Sequence, residues 1–169
     1  MIKSPLPGFM IRFAEPEDTG LILEFIKELA TYEKLLHEVT ATEEILHDSL
    51  FRRRAAEVVI GEYQGEPVSF ALFFHNFSTF LGRPGIYLED LYVKTAYRGQ
   101  GIGKLMLAFL AKLTIERDCG RLEWWCLDAN EPAIRFYRKM GAQPMEDWTV
   151  YRVTGKALVD LAENFSQSS

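Results

Sequence analysis

A glycine-rich segment carries the clearest chemical signal in this chain. Tyr97-Arg-Gly-Gln-Gly-Ile-Gly-Lys104 lies between an apolar run typical of a strand and an apolar pattern typical of a helix. Alternate glycines let backbone N–H groups point toward one ligand, and the following helix N-terminus adds free donors and a positive dipole end. With Arg98 and Lys104 beside these donors, the segment predicts a phosphate-binding loop. The alternative is a mobile strand-to-helix connection, because glycine turns are common.

Two well-known phosphate-binding patterns do not fit this loop. The P-loop pattern needs glycine where Arg98 stands and serine or threonine where Leu105 stands. The dinucleotide fingerprint G-x-G-x-x-G needs glycine at Lys104. Both patterns are therefore excluded, and R-G-x-G-I-G-K remains as a loop of another kind.

A pair of adjacent carboxylates forms the second candidate feature. Glu89 and Asp90 lie inside the apolar run Ile86–Val93. On a flat strand, successive side chains point to opposite faces, so we expect at least one of the two to face the interior. A buried carboxylate is costly unless it is paired or functional. The pair therefore predicts either a functional acid or a structural salt bridge.

Two aromatic positions complete the candidates. Tyr137 lies on the apolar stripe of a predicted helix, and its phenol could donate a proton to a leaving group held near it. Core packing is the alternative role for this side chain. Tyr32 and Glu33 end the first predicted helix, where taken alone they would be an exposed ring and a solvated charge.

Composition excludes several classes of function. The net charge of −5 and the pI near 5.3 argue against a nucleic-acid partner. The histidines are far apart, which predicts no metal site, and the absence of G-x-S-x-G argues against a serine hydrolase. No apolar run approaches the ~18 residues of a membrane span, and the proline-containing N-terminus does not read as a signal peptide. Cys119 and Cys126 form no CxxC motif, so we expect reduced thiols in a cytoplasmic protein.

Hydrophobic periodicity predicts the elements that position these residues. In chain order, the first half contains a strand at 10–13, a helix at 15–33, a helix at 40–50 that opens with a capping box at Thr40–Glu43, and strands at 58–60, 68–74 and 86–93, the first two joined by a hairpin at Gln64–Glu66. The second half contains a helix at 102–113 with a stop at Gly120, a buried strand at 122–127, a short helix capped by Asn130 and closed by Gly141, a strand at 148–153 and a helix at 155–164. A further short strand is expected near Ala142. An antiparallel meander followed by a βαβ unit predicts a mixed α+β sheet with helices on its faces.

We expect one domain over residues 10–165. It is flanked by a flexible leader at 1–9, with Met10 as an alternative start, and a flexible tail at 166–169.

The candidate loop, read together with three other segments, resembles a known family. Arg98-Gly-Gln-Gly-Ile-Gly103 is similar to the Q/R-x-x-G-x-G/A pyrophosphate loop of the GNAT superfamily of acetyl-CoA-dependent N-acetyltransferases. Glu28–Leu35, Tyr87–Val93 and Asn130–Tyr137 resemble one branch of it, the diamine (spermidine/spermine) and thialysine acetyltransferases. The resemblance implies a mostly antiparallel twisted sheet with splayed central strands. It also implies acetyl transfer from acetyl-CoA to a primary amine of a small cationic metabolite, by direct attack in a ternary complex.

Roles for individual residues follow from this resemblance. Glu89 would deprotonate the substrate ammonium through water, and Tyr137 would protonate the leaving thiolate. The Val93 N–H would also polarise the thioester carbonyl. The implied acetyl-CoA contacts are Leu91, Tyr92, Val93, Arg98, Gly99, Gln100, Gly101, Ile102, Gly103, Lys104 and Asn130. The implied amine contacts are Tyr32, Glu33, Phe80, Glu89, Asp90 and Trp148.

The chain also departs from the branch. Phe80 stands where the branch usually has tryptophan, and Ser78-Thr79 replace the Asp-Pro of the strict polyamine enzymes. These positions resemble the thialysine-type members more closely. Trp148 matches a region that in the branch crosses to a partner subunit, so we expect a homodimer. Two other classes remain open at this point, a protein lysine acetyltransferase and a non-catalytic acetyl-CoA-binding module.

Overall fold

The computed structural model describes residues 1–166. Its strands are β1 (Ile2–Lys3), β2 (Phe9–Phe13), β3 (Glu57–Tyr63), β4 (Glu66–Ser78), β5 (Arg83–Val93) and β6 (Leu122–Trp124). Its α-helices are α1 (Thr19–Tyr32), α2 (Glu43–His47), α3 (Ile102–Glu116), α4 (Glu131–Lys139) and α5 (Gly155–Ser166). Of the flexible tail predicted at 166–169, Ser166 ends α5, and the remainder lies outside the described residues.

The contacts within the chain divide it into two compact units, residues 1–125 and the residues from 126 onward. The first unit holds the whole sheet with α1 to α3, and the second holds α4 and α5. The single domain that the sequence predicts over residues 10–165 therefore stays a prediction.

The sheet confirms the mixed α+β class. Its strands are ordered β1 to β6, with antiparallel pairing from β1 through β5 and a parallel β5–β6 pair across α3. The predicted hairpin joins β3 to β4, where Gln64 and Gly65 both have positive φ (53° and 85°). Such a turn matches the right-handed twist of the strands that it connects.

Helices cover both faces of this sheet because each strand alternates its apolar side chains. Ile22 and Phe25 of α1 pack with Val58, Ile60 and Phe70, and the Phe25 and Phe70 rings stack at 5.2 Å. On the opposite face, beneath α3, Val59, Ala71 and Phe73 are fully buried. Ile102, Met106 and Leu110 supply the apolar stripe of α3.

Two irregularities in β5 shape the region where the candidate residues lie. The parallel pairing joins only Ile86–Leu88 to Leu122–Trp124, so β5 continues to Val93 beyond the end of β6. This is the splay that the resemblance implies. The antiparallel register with β4 also shifts, because Leu72 pairs with Asp90 while Phe73 pairs with Leu88. Glu89 is therefore the extra residue of a β-bulge.

The structure corrects the sequence prediction at both ends of the first unit. The predicted leader is instead part of the sheet, because Ile2 and Lys3 pair with β2 and Phe9 is only 1% exposed. At the other end, the strand predicted over 122–127 stops at Trp124, and its residues are half-buried rather than buried. Cys126 lies outside the strand and is half-buried, contrary to the prediction of a buried strand position.

Helix ends also differ from the sequence prediction. Thr42, rather than Thr40, caps α2, and its hydroxyl accepts a hydrogen bond from the Ile45 N–H at 3.2 Å. The chain continues from α2 through a wider turn at Asp48–Arg52. α3 ends at Glu116 and turns through Asp118, which has φ of 55°, so the helix ends before Gly120.

In the second unit, the structure confirms the predicted helix caps and contradicts the predicted strands. The Asn130 side chain accepts a hydrogen bond from the Ala133 N–H at 3.3 Å, and Gly141 follows α4 with φ of 89°, as predicted. Within residues 126–166, however, neither 148–153 nor the region of Ala142 forms a strand. Tyr151 is 91% exposed and Trp148 is 75% exposed. Their high β-propensity is not supported by a hydrogen-bonded neighbouring strand.

Candidate active site

The glycine loop leads into α3 with its backbone donors open. Gly99 and Gly101 have φ of 81° and 83°, the left-handed region that favours glycine. The first helical hydrogen bond runs from the Leu105 N–H to the Gly101 carbonyl at 3.0 Å. The N–H groups before Leu105 therefore have no partner within the helix. Within the described residues, no side chain caps this terminus and the first turn of α3 contains no acidic residue.

This geometry fits an anionic pyrophosphate. Free N–H groups and the positive end of the helix dipole favour a bound anion, and a carboxylate in the first turn would have opposed it. Lys104 adds a positive charge in the same turn.

Arg98 does more than supply charge to the loop. Its Nε donates a hydrogen bond to the Val93 carbonyl at 2.9 Å. Its guanidinium carbon lies 4.4 Å from the centre of the Tyr32 ring and 5.4 Å from that of Tyr92. Such stacking is favourable for a planar cation. Arg98 therefore joins the glycine loop to the last turn of α1 and to the end of β5.

The end of β5 presents backbone groups away from β4. The Lys94 N–H donates to the Val68 carbonyl at 2.8 Å, so Lys94 belongs to the set of residues that bond to β4. Hydrogen bonding alternates along an antiparallel pair. Given the register from Ser69–Val93 to Leu72–Asp90, the N–H groups of Leu91 and Val93 point to the splayed side. These are the two residues for which the resemblance implies backbone contacts.

Tyr92 differs from its neighbours. The same alternation turns its backbone toward β4, and its ring packs edge-on against Phe25 at 6.3 Å. It is 7% exposed and lies in the core. The structure therefore gives the Tyr92 side chain a packing role and places Arg98 above it.

A cavity of about 320 Å³ lies beside the bulge. It is lined by Ile26, Leu29, Ala30, Glu33, Leu35, Glu38, Val39, Glu89 and Asp90. α1 contributes the apolar side of this lining, and the 3₁₀ turn that follows α1 contributes Glu38. We call it the acidic cavity, because four of its lining residues are carboxylates.

The bulge explains why both neighbouring acids line this cavity. The extra residue breaks the alternation of a flat strand, so the expectation that Glu89 and Asp90 point to opposite faces is wrong. Glu89 is exposed, whereas Asp90 is partly buried opposite Leu72.

The electrostatics of the acidic cavity favour a cation. Burial, together with the negative charges of Glu89 and Glu33, raises the pKa of Asp90 from 3.8 to about 6. Burial also raises the pKa of Glu33. Carboxylates that repel each other in a partly dry site gain most from a positive charge placed between them. An ammonium group is such a charge.

The predicted amine contacts are only partly brought together. Glu33, Glu89 and Asp90 line the acidic cavity. Tyr32, the last residue of α1, is not a lining residue, and its ring lies under the Arg98 guanidinium. Phe80 is not a lining residue; it is 97% exposed at the turn between β4 and β5. Sequence reasoning missed Glu38, although a carboxylate among apolar residues just after a helix was a usable signal.

The remaining predicted residues lie in the second unit. Tyr137 is half-buried on α4, and its ring lies 5.5 Å from that of Phe136. The side chain of Asn130 caps the same helix. The roles predicted for Tyr137, Asn130 and Trp148 stay predictions.

The described part of the chain has neither a cluster of metal-ligating side chains nor a helix suited to a membrane. Among residues 1–166, no group of three or more His, Cys, Asp or Glu side chains is placed to hold a metal ion. In the same part of the chain, none of the helices combines the length and the apolarity that a membrane span requires.

Comparison with known proteins identifies the family to which this site belongs. The family model described as the acetyltransferase (GNAT) family matches residues 22–142, which is more than half of the chain. The chain belongs to the GNAT acetyltransferase family. It is thus a GNAT N-acetyltransferase, and the matched region of this acetyltransferase runs from α1 through α4.

Individual relatives indicate which branch of the family this chain resembles. The chain is 40% identical to a thialysine N-epsilon-acetyltransferase of Bos taurus over 165 residues, covering 90% of this chain and 96% of the relative. It is 32% identical to an L-ornithine N5-acetyltransferase of Arabidopsis thaliana, covering 88% and 85% of the two chains. Among solved structures, an integron cassette protein from V. cholerae has a TM-score of 0.76 at 26% identity, covering 92% and 98%. The chain thus resembles the branch that its sequence motifs indicate.

Proposed function

We propose that this acetyltransferase moves the acetyl group of acetyl-CoA to a primary amine of a small cationic metabolite. The observation that carries the proposal is the acidic cavity, in which Glu33, Glu38, Glu89 and Asp90 adjoin the splayed end of β5. A cationic acceptor suits the four carboxylates, and a thioester suits the free N–H groups of the neighbouring strand.

The residues available for acetyl-CoA lie along one path. The N–H groups at the start of α3, with Lys104, would hold the pyrophosphate. The backbone groups of Leu91 and Val93 would hold the pantetheine arm as an added strand does. When bound, acetyl-CoA supplies an activated acyl group, and the Val93 N–H is the donor that would polarise its carbonyl.

The proton balance requires an acceptor and a donor. In this proposal, Glu89 removes a proton from the substrate ammonium through water, as the family resemblance implies. The more buried Asp90, with its pKa near 6, binds the cation beside it. The free amine attacks the acyl carbon directly, the carbon–sulfur bond breaks, and Tyr137 donates a proton to the leaving sulfur. The second proton that the nitrogen loses as the amide forms passes through solvent to the Tyr137 phenolate and restores the phenol. Neither cysteine takes part in this direct transfer.

Substitution of Tyr137 tests the catalytic part of the proposal. Tyr137→Phe keeps the ring on α4 and removes only the hydroxyl, so we expect turnover to fall by roughly 10²–10⁴ with a small change in stability. Tyr151→Phe is the matched control, because Tyr151 is 91% exposed. The turnover of both variants is measured as the release of free CoA at saturating acetyl-CoA. Wild-type turnover by the Tyr137→Phe protein would show that another group is the acid.

The identity of the amine is a separate proposal. The relatives named for thialysine and ornithine favour an amino-acid side-chain amine of that length, and the acidic cavity also admits diamines and polyamines. A screen of thialysine, lysine, ornithine, diamines and polyamines would rank these acceptors. Acetylated lysines in whole proteins, detected by mass spectrometry, would instead favour a protein substrate. Failure to release CoA with any acceptor would favour a non-catalytic module.

We also propose that the protein is a cytoplasmic homodimer. The end of β4 and the turn that follows it expose Phe77, Phe80 and Leu81, with Phe80 97% exposed. Exposed apolar groups of this kind favour association. Trp148 would reach the partner subunit, as in the branch that it resembles. Light scattering should give twice 19.4 kDa; a species of 19.4 kDa alone would contradict the dimer.

A further inference from the structure

Helix α1 presents two different sides to the site. One side, which includes the residue that follows the helix, lines the acidic cavity at the spacing i, i+3, i+4 and i+7 with Ile26, Leu29, Ala30 and Glu33. A second side carries, at the spacing i, i+4 and i+8, Glu24, Glu28 and Tyr32. Successive helical residues are rotated by about 100° around the axis. Tyr32 and Glu33 therefore point in different directions although they are adjacent in the sequence.

The second side of α1 contacts the end of β5 and the glycine loop. The Lys94 Nζ lies 3.8 Å from the Glu24 Oε1 and 3.9 Å from the Glu28 Oε1. One helical turn further along, the Arg98 guanidinium carbon lies 4.4 Å from the centre of the Tyr32 ring. Tyr32 is 53% exposed, so its ring is not part of the core. The contact with Arg98 is therefore the interaction of this ring that calls for a function.

The end of α1 that carries Tyr32 has a fixed geometry. Lys34 adopts the left-handed conformation, with φ of 61°. The Leu35 N–H donates a hydrogen bond to the Ala30 carbonyl at 2.7 Å, and the Lys34 N–H donates one to the Thr31 carbonyl at 3.1 Å. These two bonds form a Schellman motif, which closes the last turn of the helix. Tyr32, inside that turn, therefore offers Arg98 a surface with a defined position.

The glycine loop, in contrast, has little packing of its own. Among the described residues, no atom beyond the adjoining residues lies within 4 Å of the position that a Cβ would take at Gly99 or Gly101. Glycine also loses more conformational freedom on ordering than any other residue. The loop therefore depends on the residues at its two ends for a defined shape. Helix α3 follows it on one side, and Arg98 precedes it on the other.

We propose that Tyr32 is a positioning residue for acetyl-CoA, which acts through Arg98 to hold the glycine loop in the conformation that binds the pyrophosphate. This inference rests on the proposed function, because it takes acetyl-CoA as the ligand of the loop. It gives Tyr32 a task different from the amine contact that the family resemblance implies. A loop already held in its bound shape loses less conformational entropy when the ligand arrives, so the ring strengthens acetyl-CoA binding without touching acetyl-CoA.

Binding of acetyl-CoA in the absence of any amine tests this role. Tyr32→Leu removes the flat ring and keeps an apolar side chain. We expect the Kd for acetyl-CoA, measured by calorimetry, to rise about 5-fold, the scale of an exposed cation–π contact. Tyr32→Phe keeps the ring and should restore the wild-type Kd. Thr31→Ala, at the exposed neighbouring position of α1, controls for damage to the helix end and should leave this Kd unchanged.

A double-mutant cycle tests whether Tyr32 acts through Arg98. Arg98→Lys keeps the positive charge and removes the planar group that stacks on the ring. In that background Tyr32→Leu should cause no further rise in the Kd for acetyl-CoA, because the ring no longer has its partner. An equal rise with and without Arg98→Lys would overturn the proposal, since Tyr32 would then act independently of Arg98.

The same measurements separate this inference from the proposed function. A residue that contacts only the amine has no effect on acetyl-CoA binding when no amine is present. A wild-type Kd for acetyl-CoA in Tyr32→Leu, with a higher KM for the amine, would therefore overturn the positioning role and leave the proposed function intact. A wild-type protein that binds no acetyl-CoA would overturn both.

Discussion

Replacement of Asp90 by asparagine should make the protein more stable at neutral pH. The acidic cavity holds the Asp90 carboxylate among Glu33 and Glu89, and its pKa rises from 3.8 to about 6. The folded state then binds a proton more tightly than the unfolded state does. Ionised Asp90 therefore destabilises the fold, and this cost grows as pH rises from about 4 through 6.

The size of the effect follows from the shift. Each unit of pKa difference is worth 1.36 kcal/mol, so the penalty reaches about 3 kcal/mol above pH 7 and falls to roughly 0.5 kcal/mol at pH 4. Asparagine has nearly the same shape and carries no charge. We expect Asp90→Asn to gain up to about 3 kcal/mol at pH 8, or roughly 6–12 °C in Tm for a chain of this size.

Urea denaturation at pH 8 and at pH 4 measures this gain. The gain should be large at pH 8 and small at pH 4, where the carboxyl group is protonated in the folded state and only about half ionised in the unfolded state. Glu66→Gln, an exposed position of β4, is the control and should change stability little at either pH. A loss of stability in Asp90→Asn at pH 8 would refute the reasoning, since it would mean that the charged carboxylate has a stabilising partner.

Three other substitutions test separate parts of the fold and site. Gly101→Val should abolish acetyl-CoA binding in calorimetry while the protein stays folded, because valine is strained at φ of 83° and its side chain would enter the open space beside the loop. Wild-type affinity would contradict the loop assignment. Arg12→Met should lower the free energy of unfolding by roughly 3–5 kcal/mol. The reason is that Glu62, which is 9% exposed, loses the Arg12 Nε that lies 2.6 Å from its Oε1. A loss below about 1 kcal/mol in urea denaturation would contradict this prediction. Arg98→Gln should raise the KM values of both substrates, because the glycine loop then loses its contacts with α1 and β5. The control Arg53→Gln, at an exposed position, should raise neither KM. A higher KM for acetyl-CoA alone would mean that Arg98 contributes only its charge.

The sequence predicted most of the elements because their hydrophobic periods are local signals. The helical stripe from Ile102 to Leu113 and the β-rich runs before it can be recognised without knowing which segments pack against them. The structure has a helix and strands at these positions. The residues Trp148–Val153 have the same β-propensity but lie in no ladder. Whether a segment pairs as a strand depends on its neighbours in the tertiary structure, which β-propensity alone does not determine.

The site was predictable where a motif fixes backbone geometry and unpredictable where geometry depends on pairing. The residue type at Gly99 and Gly101 indicated that the backbone has positive φ angles there. The bulge at Glu89, in contrast, arises from the register between β4 and β5, and no residue in the run Ile86–Val93 signals it. The contribution of Glu38 likewise depends on how the turn after α1 folds back.

The bulge also divides β5 into two segments of opposite hydrogen-bond phase. Before Glu89, the N–H of an even-numbered residue, Ile86, points toward β6, where it donates to the Arg121 carbonyl at 3.0 Å. After Glu89, the odd-numbered Leu91 and Val93 point that way. Without this extra residue, Leu88 and Asp90 would be consecutive and the register with β4 would be regular, so Leu91 and Val93 would still face the open edge. The bulge is therefore an insertion that adds one carboxylate beside Asp90 and leaves the direction of the neighbouring amides unchanged.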